Sequence, residues 1–239
     1  MPAISLIGVS KLFGRFAALR DVSADFEAAR LCAIFGENGA GKSTLLRIVA
    51  GLARPTHGTV SFEANGGKPI GLFAADHEEN RPAVLQSIGY MAHASMLYDE
   101  MSAMENLRYC ATLFGISDEA HIAAAIERVG LDPRLERRVG DYSQGMRQRL
   151  SLARALLHEP GILLLDEPFS NLDTTGAREI AALLGKLRDG GKAILVVTHQ
   201  AAHLEAIADE SLLLSQGHVA GRATGVGVNA ASALAEAVR

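Results

Sequence analysis

The sequence predicts an α/β fold with a mixed central sheet, an antiparallel β lobe ahead of it and a helical lobe inserted into it. Three observations carry that expectation. Leu31-Cys32-Ala33-Ile34-Phe35 and Ile162-Leu163-Leu164-Leu165 are short apolar runs that suit strands covered on both faces. From Ile162 onward such runs (Ile162 to Leu165, Ala193 to Val197, Leu212 to Leu214) alternate with helical stretches near Ala177 to Leu187 and Ala201 to Ala208, the order of parallel strands joined by crossover helices. Third, Gly36-Glu37-Asn38-Gly39-Ala40-Gly41-Lys42-Ser43 stands between the first apolar run and a helix begun by Ser43 to Ala50, which is the strand, loop and helix order of a phosphate-binding loop.

The remaining elements follow in chain order. Ile4 to Val9 and Val22 to Phe26 partly alternate apolar with small or polar residues, as a half-exposed antiparallel sheet does, and Gly58 to Phe62 is another strand. Asn65 to Pro69 and Asp76 to Pro82 carry turn-formers and charge, and the second is expected to be a mobile surface loop. Ser102-Ala103-Met104-Glu105 has the spacing of a capping box and opens a helix through Leu107, Cys110, Ala111 and Phe114, ending near Gly115. A second helix runs from about Asp118 to Val129, and a third follows Ser143 and is limited by Pro160. These three make the helical lobe, about 93–159, and the core with its β lobe takes about 1–92 and 160–239 of a single domain. Ala230 to Val238 reads as a short terminal helix, and no internal repeat or heptad run occurs.

A chain of 239 residues can bury one substantial core. Its 23 basic and 27 acidic residues give a net charge of -4, which offers no electrostatic reason to expect nucleic acid or an anionic membrane as partner. The only cysteines, Cys32 and Cys110, sit in apolar surroundings without metal-ligand spacing, as small core residues of a protein in a reducing compartment do. No signal-like succession opens the chain and no apolar run is long enough to span a bilayer, so the polypeptide is expected to be soluble by itself.

The chemistry concentrates in four places. Gly36, Gly39 and Gly41 lack a Cβ, so the loop can turn its amides inward on a polyphosphate. Lys42 then supplies an ammonium to the β- and γ-phosphates, and Ser43 a hydroxyl to Mg²⁺. Asp166 and Glu167 end an apolar strand as adjacent carboxylates, a costly pairing that a cation relieves; Asp166 suits the metal, through water, and Glu167 suits polarising the water that attacks a γ-phosphate. His199 follows the Ala193 to Val197 strand, so it projects into the crevice at the strand ends where it can reach the γ-phosphate. Ser143 caps a second helix whose N-terminus is another anion site, more than one nucleotide needs from one subunit.

Taken together, the phosphate loop, the Ser143 stretch, Asp166-Glu167 and His199 resemble the ATP-binding cassette (ABC) ATPases, a match running from about Val9 to Gly221. The resemblance implies a P-loop NTPase fold of ABC type, ATP hydrolysis with Mg²⁺, and nucleotide contacts from Gly36 through Thr44. It also implies a head-to-tail dimer with a second cassette, identical or not. Tyr142-Ser143-Gln144-Gly145-Met146 matches the segment that covers the nucleotide of the opposite subunit: Ser143 and Gly145 keep the contacting positions, whereas Tyr142, Gln144 and Met146 depart from the commonest wording. Asp173, in Ser170-Asn171-Leu172-Asp173, matches the acid of the loop that crosses the dimer interface, and Phe13 matches the aromatic that stacks on adenine. His93 stands where the family has Gln. A histidine nitrogen is a poor ligand for Mg²⁺, so His93 is expected to bond the attacking water or a phosphate oxygen.

The expected function is the ATP-hydrolysing subunit of a membrane transporter, peripheral on the cytoplasmic face of the cell membrane through separate integral membrane subunits. Met91 to Leu107 resembles the segment that receives them. The wording Tyr142 to Arg149 is closer to exporters than importers. Two alternatives are set against it: a soluble ABC ATPase acting on nucleic acid or ribosomes, which lacks support in the charge, and a nucleotide kinase using Arg134, Arg137 and Arg138, which has no need of the Ser143 segment.

Overall fold

The computed structural model describes residues 2–63, 69–74 and 79–225. Two sheets organise the chain. β1 (Pro2–Phe13) and β2 (Phe16–Glu27) form an antiparallel hairpin that β4 (His57–Phe62) and the two-residue β5 (Ile70–Gly71) extend in the order β2-β1-β4-β5. The six-stranded sheet has the order β10-β9-β3-β8-β7-β6, from β3 (Leu31–Phe35), β6 (Ile88–Met91), β7 (Ile162–Asp166), β8 (Ala193–Val197), β9 (Glu210–Ser215) and β10 (His218–Thr224). All its neighbours run parallel except β10, which returns antiparallel along β9.

The apolar runs are strands because each buries both faces, and the period-2 alternation of side chains divides them between two cores. Leu31, Ala33, Leu163, Leu165, Ile194 and Val196 point to the helices α3 (Ala103–Leu113), α4 (Glu119–Arg128), α5 (Gln144–Leu156) and α6 (Thr174–Asp189). Cys32, Ile34, Ile162, Leu164, Leu195 and Val197 point the other way, to α1 (Lys42–Val49) and the β lobe. Helix starts are set by side chains: Ser102 and Glu105 close a reciprocal capping box on α3, at 3.3 and 2.8 Å. Ser143 Oγ accepts from Met146 N on α5 (3.2 Å), and Asp173 Oδ1 from Gly176 N on α6 (2.8 Å).

Two expectations change. The stretch Ala201 to Ala208 is no α-helix but a 3-10 turn over Ala201–His203 followed by turns; only Leu204 and Ala208 bury fully there, and the chain must re-enter the sheet at Glu210, too soon to propagate a helix. Arg81 and Pro82 belong not to a loop but to a short helix, α2 (Arg81–Gln86), because proline is accepted in the first turn, where no intrahelical donor is lost. β6 and β10 are strands that composition alone did not single out. Residues 64–68, 75–78 and the helix expected over Ala230 to Val238 lie outside the described residues.

Candidate functional site

The carboxyl ends of β3, β7 and β8 open onto one cavity of about 540 Å³. Its floor is the loop between β3 and α1. Gly36 has φ 145°, and a Cβ there would lie 2.2 Å from Leu214 O; Gly41, at φ 102°, would meet Ala18 O at 2.4 Å. These two glycines are therefore required by the packing of the loop on the strands beside it as well as by its conformation. Lys42 opens α1 and is 7% exposed, with Nζ donating to Gly36 O (2.7 Å) and Glu37 O (2.9 Å). Burial pushes its ammonium below the usual lysine range, while the Glu167 and Asp166 carboxylates pull it back up.

The acidic pair lines the same cavity. Asp166 ends β7 at 4% exposure. Glu167 follows in the left-handed region (φ 56°), a conformation that costs energy for a side-chain-bearing residue and needs its surroundings to hold it. Its N donates to Val197 O (2.8 Å), and its carbonyl accepts from Gln148 Nε2 (2.6 Å), so the helix after Ser143 grips the turn that aims this carboxylate. Glu167 Oε2 accepts from His199 N (3.3 Å). Its Oε1 is buried without an aligned hydrogen bond, 3.4 Å from His199 Nε2. The imidazole itself is about half exposed to the cavity.

Asn38, Gly39, Gly41, Lys42, Ser43, Thr44, His93, Asp166, Glu167 and His199 thus share one cavity wall. Gly36, Glu37 and Ala40 build the loop from behind, Ala40 being 3% exposed. Phe13 is not in that wall. It is 55% exposed with Lys11 Nζ 5.0 Å from its ring centroid, whereas Phe16, its cross-strand partner across the Gly14-Arg15 turn, lines the cavity with Ala18. The alternation was readable, but the register of the hairpin that pairs the two rings was not. Ser170 and Gln200 also line the cavity and were not singled out.

Ser143, Gly145 and Asp173 do not line this cavity. A Cβ on Gly145 would lie 3.0 Å from Asn171 O and 3.5 Å from Leu172 Cδ2, so the start of α5 rests on the loop Ser170 to Asp173. The phosphate cradle and this capped helix N-terminus are thus two separate candidate anion sites.

Among the described residues no helix is long and apolar enough to cross a membrane. Residues 19–170 match the family model described as ABC transporter. The chain is 35% identical over 206 residues to the ABC transporter ATP-binding protein NatA of Bacillus subtilis (strain 168), covering 84% of this chain and 80% of that one. It is 32% identical over 212 residues to the bacitracin transport ATP-binding protein BcrA of Enterococcus faecalis, at 88% and 66% coverage. Among solved structures, the dimeric ATP-binding cassette MJ0796 in a post-hydrolysis state bound to ADP and Pi superposes with a TM-score of 0.82 at 26% identity, covering 92% of this chain and 98% of that one. With the phosphate loop, the acidic pair and the histidine in one cavity, the chain belongs to the ABC transporter family, as one of its ATP-binding and ATP-hydrolysing cassettes.

Proposed function

We propose that this chain energises transport by clasping two ATP molecules between itself and a second cassette, and that it does so against integral membrane subunits at the cytoplasmic face. The observation that carries the reading is the convergence of Lys42, Asp166, Glu167 and His199 on one cavity while Ser143 and Gly145 face elsewhere. In it, the loop from Gly36 to Thr44 wraps the phosphates with backbone amides, and Lys42, held by its two carbonyl partners, offers its third N–H to a phosphate oxygen. Glu167 orients the attacking water and accepts its proton, and His199 donates to the γ-phosphoryl oxygen as charge spreads over it. His93 bonds the water or a phosphate oxygen. The Phe13–Phe16 hairpin tip supplies aromatic surface for the base. Ser143 and Gly145 cap the partner's nucleotide, and Asp173 crosses to it.

Ser43 and Asp166 suit Mg²⁺: both are oxygen donors on the same cavity wall, the hard set that this cation prefers. No cluster of three His, Cys, Asp or Glu side chains that could hold a metal occurs among the described residues, so the remaining ligands would be phosphate oxygens and water. Bound there, the cation neutralises developing phosphate charge. A single domain, with the helices between β6 and β7 as its lobe of about 93–159, presents Met91 to Leu107 to the membrane subunits. Export is the direction favoured by the wording Tyr142 to Arg149. The net charge of -4 gives nucleic acid no electrostatic footing.

Glu167→Gln tests the reading. It should hold ATP and form a stable dimer while turnover falls by about a hundredfold or more, as loss of a positioned catalytic group does. Affinity purification of that variant from detergent-solubilised membranes should bring a multi-spanning protein with it; normal turnover, or recovery of ribosomes or DNA instead, would overturn the assignment.

A further inference from the structure

Arg149 lies one helical turn beyond Gly145 on the same face of α5, and its guanidinium crosses from the helical lobe to the core. Nη1 donates to Val129 O at the end of α4 (2.8 Å), and Nη2 to Glu179 Oε2 on α6 (2.7 Å). The side chain is 16% exposed, and the passage it uses is cut from glycines: a Cβ on Gly130 would lie 2.6 Å from Nη1, and one on Gly176 would lie 2.8 Å from Nη2. Gly176 is also the residue whose N donates to the Asp173 cap, so the guanidinium sits against the turn that fixes Asp173. Together with the close approach of Gly145 to Asn171 O, α5 is fastened to the Ser170–Asp173 loop and its helix at two points one turn apart.

We infer that Arg149 is a positioning residue that locks the Ser143–Gly145 segment and the Asp173 loop into one rigid edge, and that this edge is the unit a second cassette docks on. The inference rests on the two-cassette reading above. Arg149 does not line the nucleotide cavity. Its contribution is therefore to association: neither half of the edge has to be ordered when the partner arrives, which lowers the entropy lost on docking. A planar fork whose two nitrogens reach oxygens on different elements is a task for arginine, since a lysine would have to reach both from a single nitrogen.

The test uses the full chain in the Glu167→Gln background and measures ATP-driven dimerisation by analytical ultracentrifugation, with ADP affinity of the single chain by calorimetry and melting temperature alongside. Arg149→Ala should weaken dimerisation by about tenfold or more, Arg149→Lys by less, with ADP affinity unchanged within about twofold. Glu179→Ala should shift dimerisation in the same direction, and the Arg149→Ala/Glu179→Ala double variant should be no worse than Arg149→Ala, the non-additivity of residues acting through one contact. If Arg149→Ala fails to fold, Glu179→Ala carries the test, because its side chain is 56% exposed and its removal leaves no cavity. Dimerisation equal to the parent in these variants, or an equal loss of ADP affinity, overturns the inference. A parent that does not dimerise with ATP overturns the two-cassette reading instead, a distinct result.

Discussion

Glu167 is gripped by the backbone of His199 and not by its ring: Oε2 accepts from His199 N at 3.3 Å, while Oε1 lies 3.4 Å from Nε2 without hydrogen-bond alignment. The two side chains can therefore be separated by mutation. His199→Ala keeps the amide that holds the carboxylate and removes only the imidazole.

Turnover by His199→Ala should fall by about ten- to a hundredfold with ATP affinity within about threefold of the parent, the pattern of a contact strengthened in the transition state. His93→Ala should lower turnover and alter its dependence on Mg²⁺ concentration. Steady-state kinetics over a Mg²⁺ titration decide both; unchanged kinetics in either variant would remove that residue from the site.

The two rings at the hairpin tip should differ in weight. Phe16 lines the cavity and Phe13 does not, so Phe16→Ala should raise the KM for ATP by about five- to tenfold and Phe13→Ala by less, with inhibition by inorganic tripolyphosphate, which has no base, unaffected. The reverse order would return the base to Phe13.

Acid should cost stability through His158. Its ring stacks on Phe114 with centroids 4.0 Å apart, and its Nε2 meets Ile88 O at 3.1 Å. Burial holds its pKa below the usual histidine value of 6.5, with the Ile88 carbonyl opposing. The unfolded chain then takes up a proton that the folded one declines: this contribution is complete above the ordinary histidine pKa and is lost as pH falls through it. Melting temperature should drop between about pH 7.5 and 5.5 in the parent and drop less in His158→Gln. Equal slopes would refute the assignment.

How far the sequence could be read depended on whether local chemistry or distant packing decided each feature. Ile162 to Leu165 and Ala193 to Val197 are apolar on both faces and could be little else than buried strands, and Ser102 with Glu105 fixes a helix start through contacts three residues apart. The phosphate loop was legible because glycine spacing encodes its backbone directly. Phe16 was missed because its place depends on the hairpin register that sets it opposite Phe13, and Ala201 to Ala208 was misread because the nearness of β9, not helix propensity, decides that stretch. Pro82 counts as a turn-former in the sequence, yet it stands in the first turn of α2, where helices accept it. The Arg149 passage lay beyond reach altogether, since Gly130, Arg149 and Glu179 meet only through the packing of three helices.

The lysine of the phosphate loop already has company. With Nζ tied to the carbonyls of Gly36 and Glu37, the cradle keeps its curvature by its own means, and a triphosphate arrives at a finished mould instead of shaping one. Capture should then proceed in a single kinetic phase whose rate follows nucleotide concentration linearly, with any slower event belonging to the meeting of two protomers.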